Sequence, residues 1–265
     1  MGELLRRWRG VRGLSQLGLA LEASTTPRHV SFVESGRSQP SRAMVLRLAR
    51  VLDVPIRERN QLLLAAGYAP LYGEAGLDGD QAAQVRAALE RMLAAHEPFP
   101  AVTMDRHWNV TGGNGAASRF FGWLLGPREA TTGPANVVRM MFDSRALRPM
   151  VSNWEAVAAS LIGRVHREVV GGMPDADAAA LVDEVLAYAD VPGDLRRPRP
   201  DLAALPVIPI GFEKDGKRFR YFSTVTTLGT PQDVTAQELR IECFFPVDAE
   251  TERNAAELAR MLPGR

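Results

Sequence analysis

Apolar residues recur every three to four positions across residues 2–72, as on the buried face of an amphipathic helix. Turn and capping residues separate these apolar runs. No strand-like alternation occurs among them. The residues predicted to start or end the helices are Gly13, Ser15, Thr26, Pro27, Ser35-Gly36, Pro40-Ser41 and Pro55. The pattern therefore predicts five short helices in this part of the chain.

Beyond residue 80 the pattern mixes helical spacing with the alternation typical of strands. Asp105-Arg106 is a predicted turn between two short strands, and Asp215-Gly216 is a hairpin signal. The predicted helices span residues 80–96, 115–125, 137–142, 151–170 and 176–190. The predicted strands span residues 99–104, 107–110, 207–212, 217–225 and 238–245. This order predicts an α+β layer with one antiparallel sheet and helices on one face.

Glycines concentrated between residues 67 and 79 break the helical pattern and predict a linker. The predicted domains are therefore an all-α domain over 1–72, a linker and connecting helix over 73–98, and an α+β domain over 99–265. A sheet covered by loosely connected helices is able to enclose a pocket.

Charge is distributed unevenly between the two predicted halves. Residues 1–72 carry 11 arginines, no lysine and five acidic residues, so their net charge is +6, whereas the whole chain has a net charge of +1. A compact basic module of this kind is expected to meet a polyanion. With 46% apolar residues, no long apolar run and one cysteine, Cys243, the chain is expected to be a soluble cytoplasmic protein without disulfides.

The second and third helices resemble the helix-turn-helix of the XRE/Cro/CI-type repressor domain. The motifs that carry this resemblance are Leu14-Ser15-Gln16, Leu19-Ala20, Ala23, Val30-Ser31, Val33-Glu34, Gly36-Arg37 and Pro40-Ser41. The resemblance implies an ion pair between Arg9 and Glu34 that ties the first helix to the third. Ser24 stands where the turn usually has glycine.

That resemblance also implies a set of DNA contacts. Arg28 is expected to read guanine with two hydrogen bonds, and Phe32 to touch a thymine methyl. Gln16 is expected to contact phosphate and base edges, while Arg37, Ser41 and Arg42 hold phosphates. The full predicted DNA-binding set is Gln16, Thr26, Pro27, Arg28, His29, Phe32, Arg37, Ser41 and Arg42. For His29, a plain helix-surface role is an equal alternative.

Residues 99–248 resemble the MmyB-like ligand-binding domain, which follows such a helix-turn-helix in bacterial regulators. The motifs that carry this resemblance are Phe99-Pro100-Ala101-Val102, Trp108-Asn109-Val110, Asn114-x-Ala116-Ala117, Asn136, Phe142, Trp154-Glu155 and Gln237-Glu238-Leu239-Arg240. The resemblance implies a PAS-like fold and a pocket for an apolar, fatty-acid-like molecule. It does not identify the molecule for this chain.

Aromatic residues in these motifs are candidates for the pocket wall, although core packing is the simpler interpretation of each. A fatty acid would need an anchor for its carboxylate, and arginines near Phe142 are candidates. The predicted ligand-binding residues are Trp108, Phe121, Phe142, Trp154, Phe222, Arg139, Arg145 and Arg148.

Other chemistry finds little support in the sequence. Thr111–Gly115 lacks the lysine of a phosphate loop, the four histidines lack zinc-ligand spacing, and no nucleophile elbow occurs. We therefore predict no metal, no cofactor and no catalytic residue. The leading hypothesis is a homodimeric transcription regulator that binds operator DNA and a small apolar effector. The alternatives are a C-terminal domain that only dimerises or binds protein, and an enzyme.

Overall fold

The structure is a computed structural model that describes residues 1–74, 76, 82–127, 134–170, 175–195 and 207–261, with backbone only for 167–170. Unit 1 is built from Met1–Gly76 and Thr230–Gln237. Unit 2 is built from Leu77–Val169, Asp175–Gly229 and Glu238–Arg265. The domain boundaries predicted after residues 72 and 98 stay a prediction, and part of the predicted linker lies outside the described residues.

Unit 1 contains the five predicted helices. Their bounds are α1 Gly2–Val11, α2 Gln16–Glu22, α3 Pro27–Glu34, α4 Arg42–Val51 and α5 Ile56–Ala65. Three of them begin at the predicted caps, where Ser15, Thr26 and Ser41 accept hydrogen bonds from backbone N–H groups of the first turn. Ser24 has a φ of +51°, the left-handed conformation that glycine usually supplies in this turn. The local chemistry therefore placed these helices correctly.

The core of unit 1 is formed by the apolar stripes of these helices. Its largest fully buried side chains are Trp8, Leu5, Leu19, Leu48, Leu52, Leu62 and Leu63. Val30 and Val33 turn one face of α3 into this core. The opposite face of α3 is thereby left for another partner.

Unit 2 contains a five-stranded antiparallel sheet. Its strands are β1 Ala101–Met104, β2 Val110–Gly113, β3 Ile210–Lys214, β4 Lys217–Thr226 and β5 Arg240–Pro246. Their order across the sheet is β2-β1-β5-β4-β3. The predicted hairpin turn is present, with φ values of +49° at Asp215 and +73° at Gly216. The expected α+β, PAS-like fold class is confirmed.

Helices cover both faces of this sheet. Their bounds are α6 Ala83–Ala95, α7 Gly115–Leu125, α8 Val137–Phe142, α9 Trp154–Val170, α10 Ala176–Leu186 and α12 Ala249–Met261, with a 3-10 turn at Arg148–Met150. The short helix α11, Val234–Glu238, lies almost entirely in the segment Thr230–Gln237 of unit 1. The main core lies between the sheet and α7 to α10. On the other face Leu89 of α6 packs against Leu239 and Ile241. For the helix at residues 80–96 the sequence leaves two possibilities, packing on the second domain or bridging the two domains, and in the structure α6 packs on the sheet.

The second strand begins later than predicted. Residues 107–109 do not form a strand, because Trp108 has a φ of +67° and the Asp105 carboxylate accepts hydrogen bonds from the His107 and Asn109 amides. The strand instead runs from Val110 to Gly113, so it extends three residues beyond the predicted strand. The hydrogen bonds of the turn and the pairing with neighbouring strands therefore determined where the strand begins, and the strand propensity of residues 107–109 did not.

Two further elements differ from the sequence prediction. Glu238 ends the short helix α11, so that β5 starts at Arg240 and not at residue 238. Asp233 starts this helix by accepting hydrogen bonds from the Thr235 and Ala236 amides. Helix α12 was not predicted, although its apolar Ala255 and Leu258 face the core at helical spacing.

Asn114 joins three elements of unit 2 and is only 6% exposed. Its side-chain oxygen accepts hydrogen bonds from the Ala117 amide in α7 and the Ala101 amide in β1, and its amide nitrogen donates to the Phe99 carbonyl at 2.8 Å. Replacement by alanine would remove the helix cap and leave buried polar groups without partners. We expect Asn114→Ala to lower the free energy of unfolding by about 2–4 kcal/mol.

Urea unfolding followed by tryptophan fluorescence measures this loss, because three of the four tryptophans, Trp108, Trp123 and Trp154, lie in unit 2, whereas Trp8 lies in unit 1. Gly122→Ala, in the same helix and facing open space, is the matched control. It is expected to raise stability by about 1 kcal/mol, since alanine favours helix. An unchanged midpoint for Asn114→Ala would contradict the role of this cap.

Candidate DNA interface and candidate effector cavity

Helix α3 presents an exposed face that the cap at its start holds in place. Thr26 accepts a hydrogen bond from the His29 amide at 3.1 Å, and Pro27 occupies the first helical position. Thr26, Pro27 and Arg28 are exposed, whereas His29 and Phe32 are half-buried. The predicted base-reading residues therefore share the start and outer side of one helix.

Phe32 brings two of the predicted DNA-binding arginines together. The Arg28 guanidinium lies 5.2 Å from the centre of the Phe32 ring, and the Arg37 guanidinium lies 6.0 Å from it. Both distances suit a cation–π interaction. The Phe32 ring thus contacts the guanidinium groups of two exposed arginines.

The predicted phosphate contacts lie at the starts of α2 and α4 and, for Arg37, just beyond the end of α3. Ser41 caps α4, so its hydroxyl oxygen already accepts a hydrogen bond from the Met44 amide, while its hydroxyl proton is able to donate. Arg37 and Arg42 are exposed. Gln16 is half-buried and its amide donates to a Glu34 carboxylate oxygen at 2.8 Å. Backbone N–H groups at helix starts add to the attraction for phosphate.

A buried ion pair holds α1 against α3. Glu34 is 5% exposed and accepts hydrogen bonds from the Arg9 guanidinium at 2.7 and 3.1 Å. Burial raises the pKa of Glu34, but hydrogen bonds from Arg9 and Gln16 and the charges of Arg9 and Arg6 outweigh burial, so the pKa lies below its ordinary value. The pair expected between Arg9 and Glu34 is therefore present, and it also orients Gln16.

Unit 2 contains a cavity of about 460 Å³ between the sheet and helices α7 to α9. Its wall is mainly apolar, with Val102 from β1, Phe244 from β5 and Phe121 from α7 among its residues. From α9, Val157, Leu161 and Arg164 line it at the spacing of one helix face. Volume and lining are those of a small-molecule pocket.

Two of the five aromatic residues predicted for the pocket wall, Trp108 and Phe121, line this cavity. Phe142 and Trp154 pack edge to face in the core, and the Trp154 indole donates to the Met141 carbonyl at 2.7 Å. Phe222 stacks on Phe245 on the opposite face of the sheet. Successive side chains of a strand point to opposite faces of the sheet. Ser223 lines the cavity, so its neighbour Phe222 points away from it.

The three arginines predicted to anchor a carboxylate lie outside the described cavity wall. Each of them pairs with a carboxylate of the protein. Arg139 pairs with Glu184 at 2.8 Å, and the pKa of Glu184 is lowered chiefly by this hydrogen bond. Arg145 pairs with Asp143, and Arg148 with Asp190. Two of these partners lie more than forty residues away in sequence. The ion pairs give each of the three arginines a structural role.

Polar residues that the sequence interpretation missed do line the cavity. They are Arg164, Ser118, Ser160, Ser223 and Glu242. Glu242 could have been predicted from the sequence, since it lies two residues before Phe244 on the same strand and must therefore face the same side of the sheet. Arg164 had a weaker one, seven residues after Val157 on the same helix face.

Three potential metal ligands come together outside the cavity. One ligand atom each from His107, Asp175 and Asp177 lies within 4.8 Å of the others. Arg106 already satisfies this group, because it donates to Asp175 at 2.7 Å and to His107 at 3.0 Å. Asp175 also caps α10. An arginine in this position supplies the positive charge that an ion would otherwise provide.

Comparison with known proteins gives two family matches. A model described as a helix-turn-helix domain matches residues 1–62. A model described as the MmyB-like transcription regulator ligand binding domain matches residues 85–258. No curated protein matches the chain.

Among solved structures, one titled "Structure of an RNA-binding Light-Oxygen-Voltage Receptor" is similar to this chain with 12% identity and a TM-score of 0.25. The match covers 98% of this chain and 62% of that one, so the chain spans less than two thirds of its length. Among the described residues, no helix is long and apolar enough to cross a membrane.

Proposed function

The chain belongs to the family of the MmyB-like transcription regulator ligand binding domain, and from this premise we propose that it is a sequence-specific DNA-binding regulator controlled by a small apolar effector. The observation that carries the proposal is the mainly apolar cavity of about 460 Å³ inside the matched domain. Its size falls in the range of roughly 300–1,000 Å³ that ligand pockets occupy. Both matched domains belong to transcription regulation, which supports binding and not catalysis as the function.

DNA recognition is assigned to the exposed face of α3. In a helix-turn-helix the second helix lies in the major groove with its first residues on base edges, which here are Thr26, Pro27 and Arg28. Phe32 and half-buried His29 follow on the same helix, while Gln16, Arg37, Ser41 and Arg42 hold phosphates. A homodimer would place two such helices on half-sites about 34 Å apart.

The effector would regulate DNA binding by preferring one arrangement of the dimer. A ligand shifts an equilibrium only by the difference between its affinities for the two states. The same coupling is reciprocal, so operator DNA must change the affinity for the effector by the same factor. This reciprocity offers a test that does not depend on whether the protein represses or activates.

Native mass spectrometry of the purified full chain tests the cavity directly. We expect a homodimer that carries a small apolar molecule, which denaturing extraction releases. Leu161→Trp fills the cavity from α9 and should lose that molecule, because overpacking leaves no room for it. Leu64→Trp, at an exposed position of unit 1, is the matched control and should retain it.

The contrary outcome is equally defined. A wild-type chain that carries no small molecule, and whose melting temperature does not rise when decanoic acid is added, would count against a fatty-acid effector. The C-terminal domain would then serve dimerisation or protein binding alone.

A further inference from the structure

Four polar side chains meet in one corner of the otherwise apolar cavity. Trp108, Arg164, Ser223 and Glu242 all line it. The Arg164 guanidinium lies 4.6 Å from the centre of the Trp108 ring, Ser223 is hydrogen-bonded to the Glu242 carboxyl, and the charge of Arg164 acts on that carboxyl. In ligand pockets such convergent polar groups fix the orientation of the bound molecule.

Trp108 is held at some energetic cost in this corner. It is 1% exposed, its φ of +67° is unusual for a bulky residue, and its indole N–H has no hydrogen-bond partner among the residues that the structure describes. A buried donor without a partner costs about 1–3 kcal/mol. Strain and an unsatisfied donor that coincide at a cavity wall are typical of a ligand site.

Glu242 is an equally costly choice for its position. It lies in the middle of β5 between Val102 and Val225 of the neighbouring strands, and it is 7% exposed. Burial raises its pKa, although the hydrogen bond from Ser223 and the charge of Arg164 act in the opposite direction. An apolar residue there would be cheaper for folding. Function therefore accounts better for a carboxyl group at this position.

The corner contains both hydrogen-bond donors and hydrogen-bond acceptors. Arg164 and the Trp108 indole donate hydrogen bonds, and Arg240 lies on the same ring at 5.1 Å. Glu242 and Ser223 supply acceptor oxygens. The guanidinium of Arg164 suits an anionic group of a ligand, while the carboxyl oxygens of Glu242 suit a ligand group that donates a hydrogen bond.

Resting on the proposed effector cavity, we propose that this corner is a head-group subsite for a hydroxylated fatty acid. The ligand carboxylate accepts hydrogen bonds from Arg164 and Trp108, and the ligand hydroxyl donates to Glu242. The hydrocarbon chain lies along the apolar wall formed by residues such as Val157, Leu161 and Phe244. An unsubstituted fatty acid fills the same cavity but leaves Glu242 without its partner, which lowers its affinity.

Calorimetric titration of the full chain with 3-hydroxydecanoic acid and with decanoic acid tests this subsite. We expect the hydroxy acid to bind about tenfold tighter or more, as one hydrogen bond to a buried polar group allows. Glu242→Leu should bring the two affinities together. Because it removes a carboxyl group on which the charge of Arg164 acts, its melting temperature is measured first to establish that it folds. Glu242→Gln keeps an acceptor and should retain most of the preference. Arg164→Met should weaken both acids.

Glu213→Gln is the matched control, since Glu213 lies exposed on β3 outside this cavity, and its affinities should not change. Equal affinity of the wild type for both acids, or a preference that Glu242→Leu leaves intact, would overturn the subsite while the effector cavity stands. Failure of both acids to bind wild type would overturn the subsite and count against the proposed effector class as well.

Discussion

Arg28→Ala is expected to weaken binding to the operator by about 5- to 150-fold, which corresponds to about 1–3 kcal/mol for one bidentate contact to guanine. The arginine is exposed near the start of α3 and its guanidinium lies 5.2 Å from the Phe32 ring centre, which restricts its motion before DNA arrives. Base preference should relax at the position that Arg28 contacts. Selection of the operator from random-sequence DNA, followed by titration at fixed salt, measures both effects.

Arg37→Ala is the matched variant, because Arg37 contacts the same aromatic ring from beyond the end of the helix. A phosphate contact carries no sequence information, so this variant should weaken operator and random DNA by the same factor and reduce the salt dependence by about one charge. If Arg28→Ala weakened both DNAs equally, Arg28 would hold phosphate and the base-reading assignment would be wrong.

Much of unit 1 was predictable because its element boundaries depend on neighbours in sequence. Ser15, Thr26 and Ser41 each cap a helix through an amide three residues ahead, so a single sequence contains the whole interaction. Even the unusual φ of Ser24 followed from its place in the turn. Where a capping residue and the amide that it binds lie within one helical turn, the sequence alone is enough to predict where the helix begins.

The sheet of unit 2 was predicted less well because pairing and facing are settled far along the chain. Phe219, Tyr221 and Phe222 are all aromatic, so the alternation of side chains along β4 does not show whether its odd-numbered or its even-numbered residues face the core. Pairing of β4 with β5 puts Phe222 opposite Phe245, on the face away from the cavity. Whether the odd-numbered or the even-numbered residues of β4 face the cavity therefore determined that Phe222 does not line it.

The partners of the predicted anchor arginines could not be read from the sequence, for a related reason. Arg139 and Arg148 looked available in sequence, but their partners Glu184 and Asp190 lie 45 and 42 residues away. Arg164, in contrast, stands among the apolar residues of a long helix and faces the cavity only because α9 packs across the sheet. Ion pairs between residues this far apart in sequence depend on the tertiary structure, so they cannot be predicted from the residue pattern alone.

Arg9→Ala is expected to lower the free energy of unfolding of unit 1 by about 3–5 kcal/mol, because it leaves the Glu34 carboxylate buried without its main partner. Hydrogen exchange of peptides from α1 and α3 in the full chain measures the loss where the pair acts. The double variant Arg9→Met, Glu34→Leu removes both charges and should recover most of the stability. Loss in the double variant as large as in Arg9→Ala would show that packing, and not the unpaired charge, is responsible.

The same pair predicts how the stability of unit 1 responds to acid. Because the pKa of Glu34 is lowered in the folded protein, its contribution is complete above the unfolded pKa of about 4.3 and is lost as pH falls through the lower folded pKa. In Arg9→Ala burial outweighs the remaining partners, so the folded pKa should rise and the contribution of Glu34 should improve as pH falls. Hydrogen exchange at a series of pH values, corrected for intrinsic rates, should therefore show wild-type stability falling as the pH drops below about 4.3, and variant stability rising as the pH drops towards about 4.3 from above. Parallel slopes would mean that Arg9 does not control the charge of Glu34.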